Sequence, residues 1–265
     1  MKGYIYYSKE ESVRNYKFIE DLISQAVIID IELQLIVDEE QPNPDADFIL
    51  FRDRNPEKAK SFEQQGFRVI NRAEVNRIAN DKWLTYELAI LLGIPTVPTK
   101  LVTMVEDLSQ YPIVLKTVDG HGGTEVELCK DSFEASKFIT AHKLRKIIAQ
   151  PYIETSAQDV RVFVIGEEVF GAVKRTGNGS FKSNYTLGGS IEKYTLSSWQ
   201  EKEAITIARA LKSDYIGIDF LLLPDGRWLL NEIEDPVGAR SLYATHDVSV
   251  AERLVNFIKI RFSSY

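Results

Sequence analysis

The chain has 265 residues, of which 44% are hydrophobic and 27% are charged, as in ordinary globular proteins. This length predicts two or three subdomains rather than one core. The net charge of −7 argues against a broad nucleic-acid surface, because phosphate binding needs clustered lysine and arginine side chains. The single cysteine, Cys129, excludes an internal disulfide and a thiolate zinc site, and the three histidines show no metal-ligand spacing.

No stretch approaches the ~20 apolar residues that a membrane-spanning helix needs. The apolar run at the N-terminus is too short for a signal peptide. We therefore expect a cytoplasmic protein with neither a membrane nor a nucleic acid as partner.

The first part of the chain alternates strand and helix patterns. Strands are predicted at 3–7, 32–37, 47–52 and 67–70, and helices at 13–23 and 56–66. This alternation predicts a small parallel α/β layer. Two further helices follow, and Asp81 is suited to cap the one that runs to Gly93. The segment Ile94-Pro-Thr-Val-Pro98 breaks the pattern, so we place a domain boundary between 1–97 and 98–265.

The second part changes character. Strands are predicted at 112–116, 125–128 and 146–150, and helices at 131–142, at 199–212 and from His246 onward. The strands 159–165 and 168–174 form a hairpin that closes at Gly166. Antiparallel hairpins with helices on one side predict an α+β arrangement for this half.

A second predicted hairpin, residues 215–234, carries three carboxylates. With Asp225-Gly226 in the turn, Leu223 pairs with Trp228, and counting back places Asp219 opposite Glu232. Glu234 shares that face, opposite Gly217. Two carboxylates roughly 4.5 Å apart repel by about 3–4 kcal/mol at an effective dielectric near 20, and hard oxygen ligands suit Mg²⁺. An exposed hairpin with solvated acidic side chains is the alternative interpretation.

Lys116 ends a strand and is followed at once by the glycine-rich loop 119–124. Glycines allow backbone N–H groups to approach phosphate oxygens, and the nearby ammonium neutralises the anion. A P-loop and a dinucleotide-binding turn both open a helix, whereas a strand follows here. The pattern fits a flexible flap that closes over a triphosphate, or a mobile hairpin turn that binds nothing.

Further candidates are less specific. The segment Gln150-Pro151-Tyr152-Ile153 leaves a strand with exposed backbone groups that suit an adenine edge, or it is a simple strand end. Asp159 and Arg161 alternate on the next strand and either face a ligand or form a surface ion pair.

A basic, glycine-bearing segment at 174–184 stands out in this acidic protein and suggests a polyanion between it and the carboxylates, although a solvated loop is the alternative. Arg240 follows the acidic strand closely. Its guanidinium suits bidentate binding of a substrate carboxylate, or it forms a surface salt bridge.

In order along the chain, from about Asn80 to Glu234, these motifs resemble those of the ATP-grasp superfamily, and within it the RimK-like carboxylate–amine ligases of the α-L-glutamate ligase type. The resemblance implies an ATP-grasp fold, mixed α/β and α+β, with a small parallel α/β layer at the N-terminus. It also implies a lid at about 98–155 and a catalytic subdomain at about 156–265. The implied nucleotide-binding residues are Lys82, Lys116, Gly120, His121, Gly122, Gly123, Gln150, Pro151, Tyr152, Ile153, Asp159, Lys182, Ser183 and Asn184, and the implied metal ligands are Asp219, Glu232 and Glu234.

Three positions depart from the family pattern. Glu234 stands where the family usually has asparagine, which adds a carboxylate to the metal site. Pro151 replaces an acidic hinge residue and removes one backbone donor. Lys182 replaces arginine and so loses the bidentate fork. These departures put the substrate in doubt more than the ATP chemistry.

The resemblance implies an enzyme that uses ATP and Mg²⁺, with Mn²⁺ as an alternative metal. It would join a small-molecule or peptide carboxylate to an amine through an acyl phosphate. Arg175 and Arg240 would stabilise developing charge or orient the acyl group. A homo-oligomer would be in keeping with the family. An ATP-grasp kinase that stops at phosphoryl transfer and an ATP-binding regulatory protein without turnover remain as alternatives.

Overall fold

The computed structural model describes residues 1–123, 125–177 and 189–263, which form three sheets with helices packed between and around them. The predicted mixture of a parallel α/β layer and antiparallel α+β sheets is confirmed.

The N-terminal sheet has the order β2-β1-β3-β4, and its strands are parallel. Its elements are β1 (Lys2–Tyr7), α1 (Lys9–Arg14), α2 (Tyr16–Ile28), β2 (Glu32–Val37), β3 (Phe48–Phe51), α3 (Pro56–Gln64) and β4 (Val69–Ile70). The central strands β1 and β3 are buried and apolar, as expected for a parallel sheet with both faces covered.

Two helices connect this sheet to the rest of the molecule: α4 (Ala73–Ala79) and α5 (Lys82–Leu92). The Asp81 carboxylate accepts hydrogen bonds from the backbone N–H groups of Trp83 and Leu84 at 2.9 and 3.1 Å, so the predicted N-cap is confirmed. Gly93 ends α5 in the left-handed region, at φ 67°. This cap places Lys82 at the first position of the helix.

The middle sheet is antiparallel, with the order β5-β8-β6-β7. Its elements are β5 (Lys100–Val102), a 3₁₀ turn (Val105–Asp107), β6 (Ile113–Thr117), β7 (Val126–Cys129), α6 (Ser132–Ala141) and β8 (Ile147–Pro151). Helix α6 packs through Ala135, Phe138 and Ile139 on one face of the sheet.

The large sheet is also antiparallel, with the order β11-β10-β9-β12-β13. Its elements are β9 (Gln158–Ile165), β10 (Glu168–Thr176), β11 (Ser190–Lys193), α7 (Ser198–Leu211), β12 (Tyr215–Leu222), β13 (Trp228–Glu234), α8 (Arg240–Thr245) and α9 (Val250–Ser263).

Helices cover both faces of this sheet, so the prediction of helices on one side is wrong. Val160, Val162 and Val164 pack in the core that contains residues of α4, α5 and α7. Phe163 and Ile165, which point the other way, pack in the core that contains residues of α9 and the N-terminal layer. The last helix begins at Val250, not at His246, because the backbone at His246 is extended.

The acidic hairpin has the predicted pairing of its carboxylates, but its turn differs from the predicted one and a β-bulge compensates. Leu222, not Leu223, lies opposite Trp228, because Leu223 donates a backbone hydrogen bond to Arg227 O at 2.8 Å across a three-residue loop. A β-bulge at Asn231 then inserts one extra residue into β13 and restores the register. The predicted pairs Asp219–Glu232 and Gly217–Glu234 are therefore confirmed, although the predicted turn register is wrong.

The chain directly after β13 is tied to the N-terminal part of the molecule. Asp235 is 2% exposed, and its carboxylate oxygens accept hydrogen bonds from the side-chain amides of Asn71 and Asn76, each at 2.9 Å. The Asn80 amide donates to the backbone oxygen of Asp235 at 2.6 Å. We call this set the Asp235 latch, and it holds the C-terminal end of β13 in place.

Replacing Asp235 by alanine should lower the free energy of unfolding by about 2–3 kcal/mol, because two buried amide donors lose a charged acceptor. Urea denaturation measures the change. Asp225→Ala, in the exposed hairpin turn, is the control and should change stability by no more than about 0.5 kcal/mol. Equal effects of the two substitutions would show that the latch does not stabilise the fold.

Candidate active site

Three carboxylates converge where β12 and β13 meet. Asp219, Glu232 and Glu234 each offer an oxygen, and these oxygens all lie within 4.8 Å of one another. Asp219 is 1% exposed, whereas the side chains of Glu232 and Glu234 are 28% and 26% exposed and face a cavity. Hard oxygen donors with an open side fit Mg²⁺, which keeps part of its shell for phosphate and water.

Two arginines neutralise the buried carboxylate of Asp219. Arg161 donates to both of its oxygens at 2.7 Å, and Arg175 donates to Oδ2 at 2.8 Å. Burial alone would raise the pKa of Asp219, but the two guanidinium groups lower it to about 2. Asp219 is therefore ionised and held in one orientation.

Glu234 is the acidic residue in excess of the family pattern. Burial, followed by the charges of Asp219 and Glu232, raises its pKa, although contact with the Arg161 guanidinium opposes the shift. A divalent cation placed among these three carboxylates would offset their mutual repulsion. The donor set therefore fits a divalent metal ion.

Two lysines approach the carboxylates from the other wall of the cavity. Lys82 Nζ lies 3.4 Å from Glu232 Oε2 and also donates to the backbone oxygen of Gly120. Lys116 Nζ donates to Asn231 Oδ1, on the bulge, at 2.8 Å. Burial lowers the pKa of Lys116 to about 8, an effect that the nearby charge of Glu232 opposes. The two ammonium groups are placed to neutralise an anion between them and the metal.

The glycine-rich loop forms the roof of this cavity. Gly120, His121, Gly122 and Gly123 line it, and Gly122 and Gly123 adopt positive φ angles of 65° and 75°. Arg145 holds the base of the loop, donating to Asp119 at 2.7 and 3.0 Å and to Glu125. The loop therefore lines the same cavity as the two lysines.

The remaining wall combines a hinge with an apolar patch. Gln150, Pro151, Tyr152 and Ile153 line the cavity as β8 ends, and Gln150 donates to Thr99 Oγ1 at 2.9 Å. The apolar members of the lining are Val97, Val114, Val126, Ile153, Leu221 and Ile233. A flat base fits between such walls, with backbone groups along its edge. This hydrophobic slot and the lysine–carboxylate end together offer the chemical groups that suit a nucleotide.

A second cavity adjoins the first, and its lining is rich in arginine: Arg14, Arg52, Arg54, Arg161, Arg175 and Arg240. Most of these guanidinium groups already have partners. Arg175 binds Asp159 at 2.6 and 2.7 Å in addition to Asp219, and Arg52 donates to Val237 O at 2.7 Å. Arg240 is exposed at the start of α8. The second cavity is suited to an anionic substrate.

The structure thus brings together most of the residues predicted for the site, while the roles assigned to them stay predictions. Asp159 lines the first cavity but is bound to Arg175, and the two catalytic candidates Arg175 and Arg240 line the second cavity. Lys182, Ser183 and Asn184 lie outside the described residues. The sequence pattern did not single out Asn231 or Arg54, and a surface ion pair was an open alternative for Arg161, which is buried.

The three-sheet fold and this site define an ATP-grasp enzyme. The fold is similar to that of the D-cycloserine synthetase DcsG, with a TM-score of 0.79 over 98% of this chain and 99% of that chain, at 17% identity. The sequence of residues 79–258 matches the RimK-like ATP-grasp domain, and the chain belongs to this family.

Two relatives support this assignment. A probable alpha-L-glutamate ligase of Haemophilus influenzae is 31% identical over 75% of this chain and 69% of that protein. The uncharacterized protein MG011 of Mycoplasma genitalium is 27% identical over 98% of this chain and 93% of that protein. The predicted enzyme class, an ATP-dependent ligase that forms C–N bonds, is confirmed, and the family implies use of ATP and a divalent metal ion.

None of the helices in the described ranges is long and apolar enough to cross a membrane.

The buried charge network leads to a prediction for the metal-free protein. Asp219→Ala should lower the free energy of unfolding by about 3–5 kcal/mol, because Arg161 and Arg175 lose their shared buried acceptor. Glu232→Gln should cost no more than about 1 kcal/mol, since this side chain is partly exposed and its lysine pair is 3.4 Å long. Urea denaturation in EDTA measures both, and equal stabilities would contradict a structural role for Asp219.

Proposed function

We propose that this enzyme uses MgATP to activate a substrate carboxylate and then joins it to an amine, with an acidic amino acid or peptide among its substrates. The observation that supports the proposal most is the meeting of two cavities at Glu232 and Glu234. One cavity has the lysines, flap and apolar slot of a nucleotide site, and the other is lined by arginines. Mn²⁺ would serve in place of Mg²⁺, because both take oxygen ligands.

ATP would lie with its adenine in the apolar slot beside the hinge from Gln150 to Ile153. Its phosphates would lie under the glycine loop, neutralised by Lys82 and Lys116. Residues 98–155 would act as the lid and residues 156–265 as the catalytic part, with Lys182, Ser183 and Asn184 adding to the phosphate contacts. The boundaries at 97 and 155 are part of this proposal.

Asp219, Glu232 and Glu234 would hold the metal. When bound, it supplies positive charge that offsets the phosphate oxygens during transfer. Arg161 and Arg175 donate hydrogen bonds to Asp219 and would keep its carboxylate oriented for this task. Arg175 would also add positive potential at the reacting centre.

The reaction would take place at the junction of the cavities. A carboxylate oxygen of the substrate attacks the γ-phosphorus of ATP, the bond to the β–γ bridging oxygen breaks, and ADP leaves with that electron pair. The amine nitrogen then attacks the acyl carbon of the resulting acyl phosphate, phosphate leaves, and the ammonium proton is lost to solvent. The protein's contribution is positioning and charge neutralisation.

The second cavity supports an acidic substrate. Arg240 would bind a carboxylate away from the reacting centre, and Arg14, which is paired with Glu11, lines the same cavity. A probable alpha-L-glutamate ligase among the relatives is in keeping with such a substrate. We therefore place glutamate, aspartate and peptides that end in them first among the candidates.

The test is a screen for ADP release over amino acids and peptides with MgATP, with mass spectrometry of the product. The proposal predicts ADP release that depends on both an acid and an amine. It also predicts a product with the mass of the amide formed from that acid and that amine. A stable phosphorylated product without amine dependence would instead show a kinase. Tight MgATP binding without ADP release for any pair would overturn the ligase proposal.

Glu232→Gln should reduce turnover by at least about 100-fold while leaving the fold intact, because one anionic metal ligand is lost at the reacting centre. The matched control is Glu201→Gln, an exposed residue of α7 that lies outside both cavities. Circular dichroism checks that each variant is folded, and isothermal titration with Mn²⁺ measures its affinity for the metal ion. A wild-type rate in the Glu232→Gln enzyme would show that Glu232 is not a metal ligand needed for turnover.

A further inference from the structure

The two cavities share four lining residues: Arg54, Gly122, Glu232 and Glu234. Two of these are acidic and one is a glycine, so among the residues that the structure describes Arg54 is the one cationic side chain that lines both spaces. The shared residues mark the junction at which the transferred phosphoryl group would pass from the nucleotide to the acid.

The backbone around Arg54 is anchored on both sides. Asn55 caps α3 by accepting a hydrogen bond from Lys58 N at 3.0 Å, and the backbone oxygen of Asp53 accepts one from the Asn76 side chain at 2.8 Å. Asn76 also binds Asp235 in the latch. The position of Arg54 is therefore tied to the same residues that hold the end of β13.

The side chain of Arg54 extends from the N-terminal layer toward the flap. After burial, the positive charge of Arg54 is the largest contribution that lowers the pKa of His121, at the tip of the glycine loop. The guanidinium thus lies near the flap tip, in the lining that it shares with Glu232 and Glu234.

Arg54 differs from Arg161 and Arg175, because its guanidinium has no ion-pair partner within the described ranges. Arg161 and Arg175 are committed to Asp219, Glu234 and Asp159. In the parts of the chain that the structure describes, the Arg54 side chain makes no hydrogen bond or ion pair. A half-buried guanidinium with five donors and an open face toward an anion site is suited to bidentate contact with phosphate oxygens.

We propose that Arg54 is a catalytic residue that contacts the phosphoryl group during its transfer, supplied to the active site by the N-terminal layer. The inference rests on the proposed function. As the carboxylate oxygen bonds to phosphorus and the bond to ADP breaks, negative charge spreads over the equatorial oxygens. Arg54 offsets this charge at the junction of the two cavities. Arg240 lines only the second cavity and remains a substrate-binding candidate.

Transition-state mimicry tests the inference without knowledge of the acid or the amine. Isothermal titration measures the affinity of the wild-type protein for MgADP, first alone and then with aluminium fluoride, which imitates the transferred phosphoryl group. Arg54→Met should retain MgADP binding within about threefold. The increase in MgADP affinity that aluminium fluoride produces should be at least about tenfold smaller in this variant than in the wild type. That factor is a modest share of what a transition-state arginine contributes to catalysis.

Two further variants serve as a conservative replacement and as a control. Arg54→Lys keeps the charge but not the planar fork, so it should recover part of the lost gain. Lys60→Met removes an exposed positive charge from α3, outside both cavities, and should behave as the wild type. Thermal unfolding establishes that each variant is folded at the temperature of the titration.

The outcomes separate this inference from the proposed function. If the wild type binds MgADP but Arg54→Met keeps the whole fluoride-dependent gain, Arg54 does not contact the phosphoryl group. The absence of any gain in the wild type would likewise overturn the inference. A wild-type protein that fails to bind MgADP would instead refute the proposed use of ATP.

Discussion

Asp219 is a carboxylate with almost no exposure, and the rest of the site depends on the two guanidinium groups that neutralise it. An isolated buried charge would cost several kcal/mol, and pairing with arginines that make fitted hydrogen bonds offsets that cost. The network gives Asp219 a single orientation and aligns it with Glu232 and Glu234. It also commits Arg161 and Arg175 to carboxylates, so direct contacts to a bound phosphoryl group would need further cationic side chains.

In the proposed function, that charge would come from three separate parts of the chain. Lys82 begins a helix capped by Asp81, Lys116 ends a strand of the middle sheet, and Arg54 follows a strand of the N-terminal layer. The Asp235 latch joins the N-terminal layer to β13, so movement of one would change the position of the other. The small parallel sheet is thus a structural part of the active site as well as a scaffold.

Local patterns in the sequence predicted the parallel layer, the Asp81 cap, the flap between two strands and the pairing of Asp219 with Glu232. The last prediction was right although its turn register was wrong. A bulge depends on how a strand packs against its neighbours, and neither hydrophobic period nor turn residues reveal it. The helices on both faces of the large sheet were also not predicted. Its strands are apolar runs, and the sequence of such a run does not show which elements cover each face.

By itself, the sequence determined the types of chemistry present: acidic residues at alternate positions of a hairpin, a lysine before a glycine loop, and an ordered set of motifs that resembles one family. These are short-range features, set by residue spacing. Only the tertiary structure decided which charges are engaged and which face the cavities. Arg161 could equally have formed a surface ion pair, yet it lies beneath Asp219, while Arg54 belongs to no motif and reaches the junction of the two cavities. The Arg161–Asp219 pair joins residues 58 positions apart, and the burial that strengthens such a pair exists only once the sheets have packed.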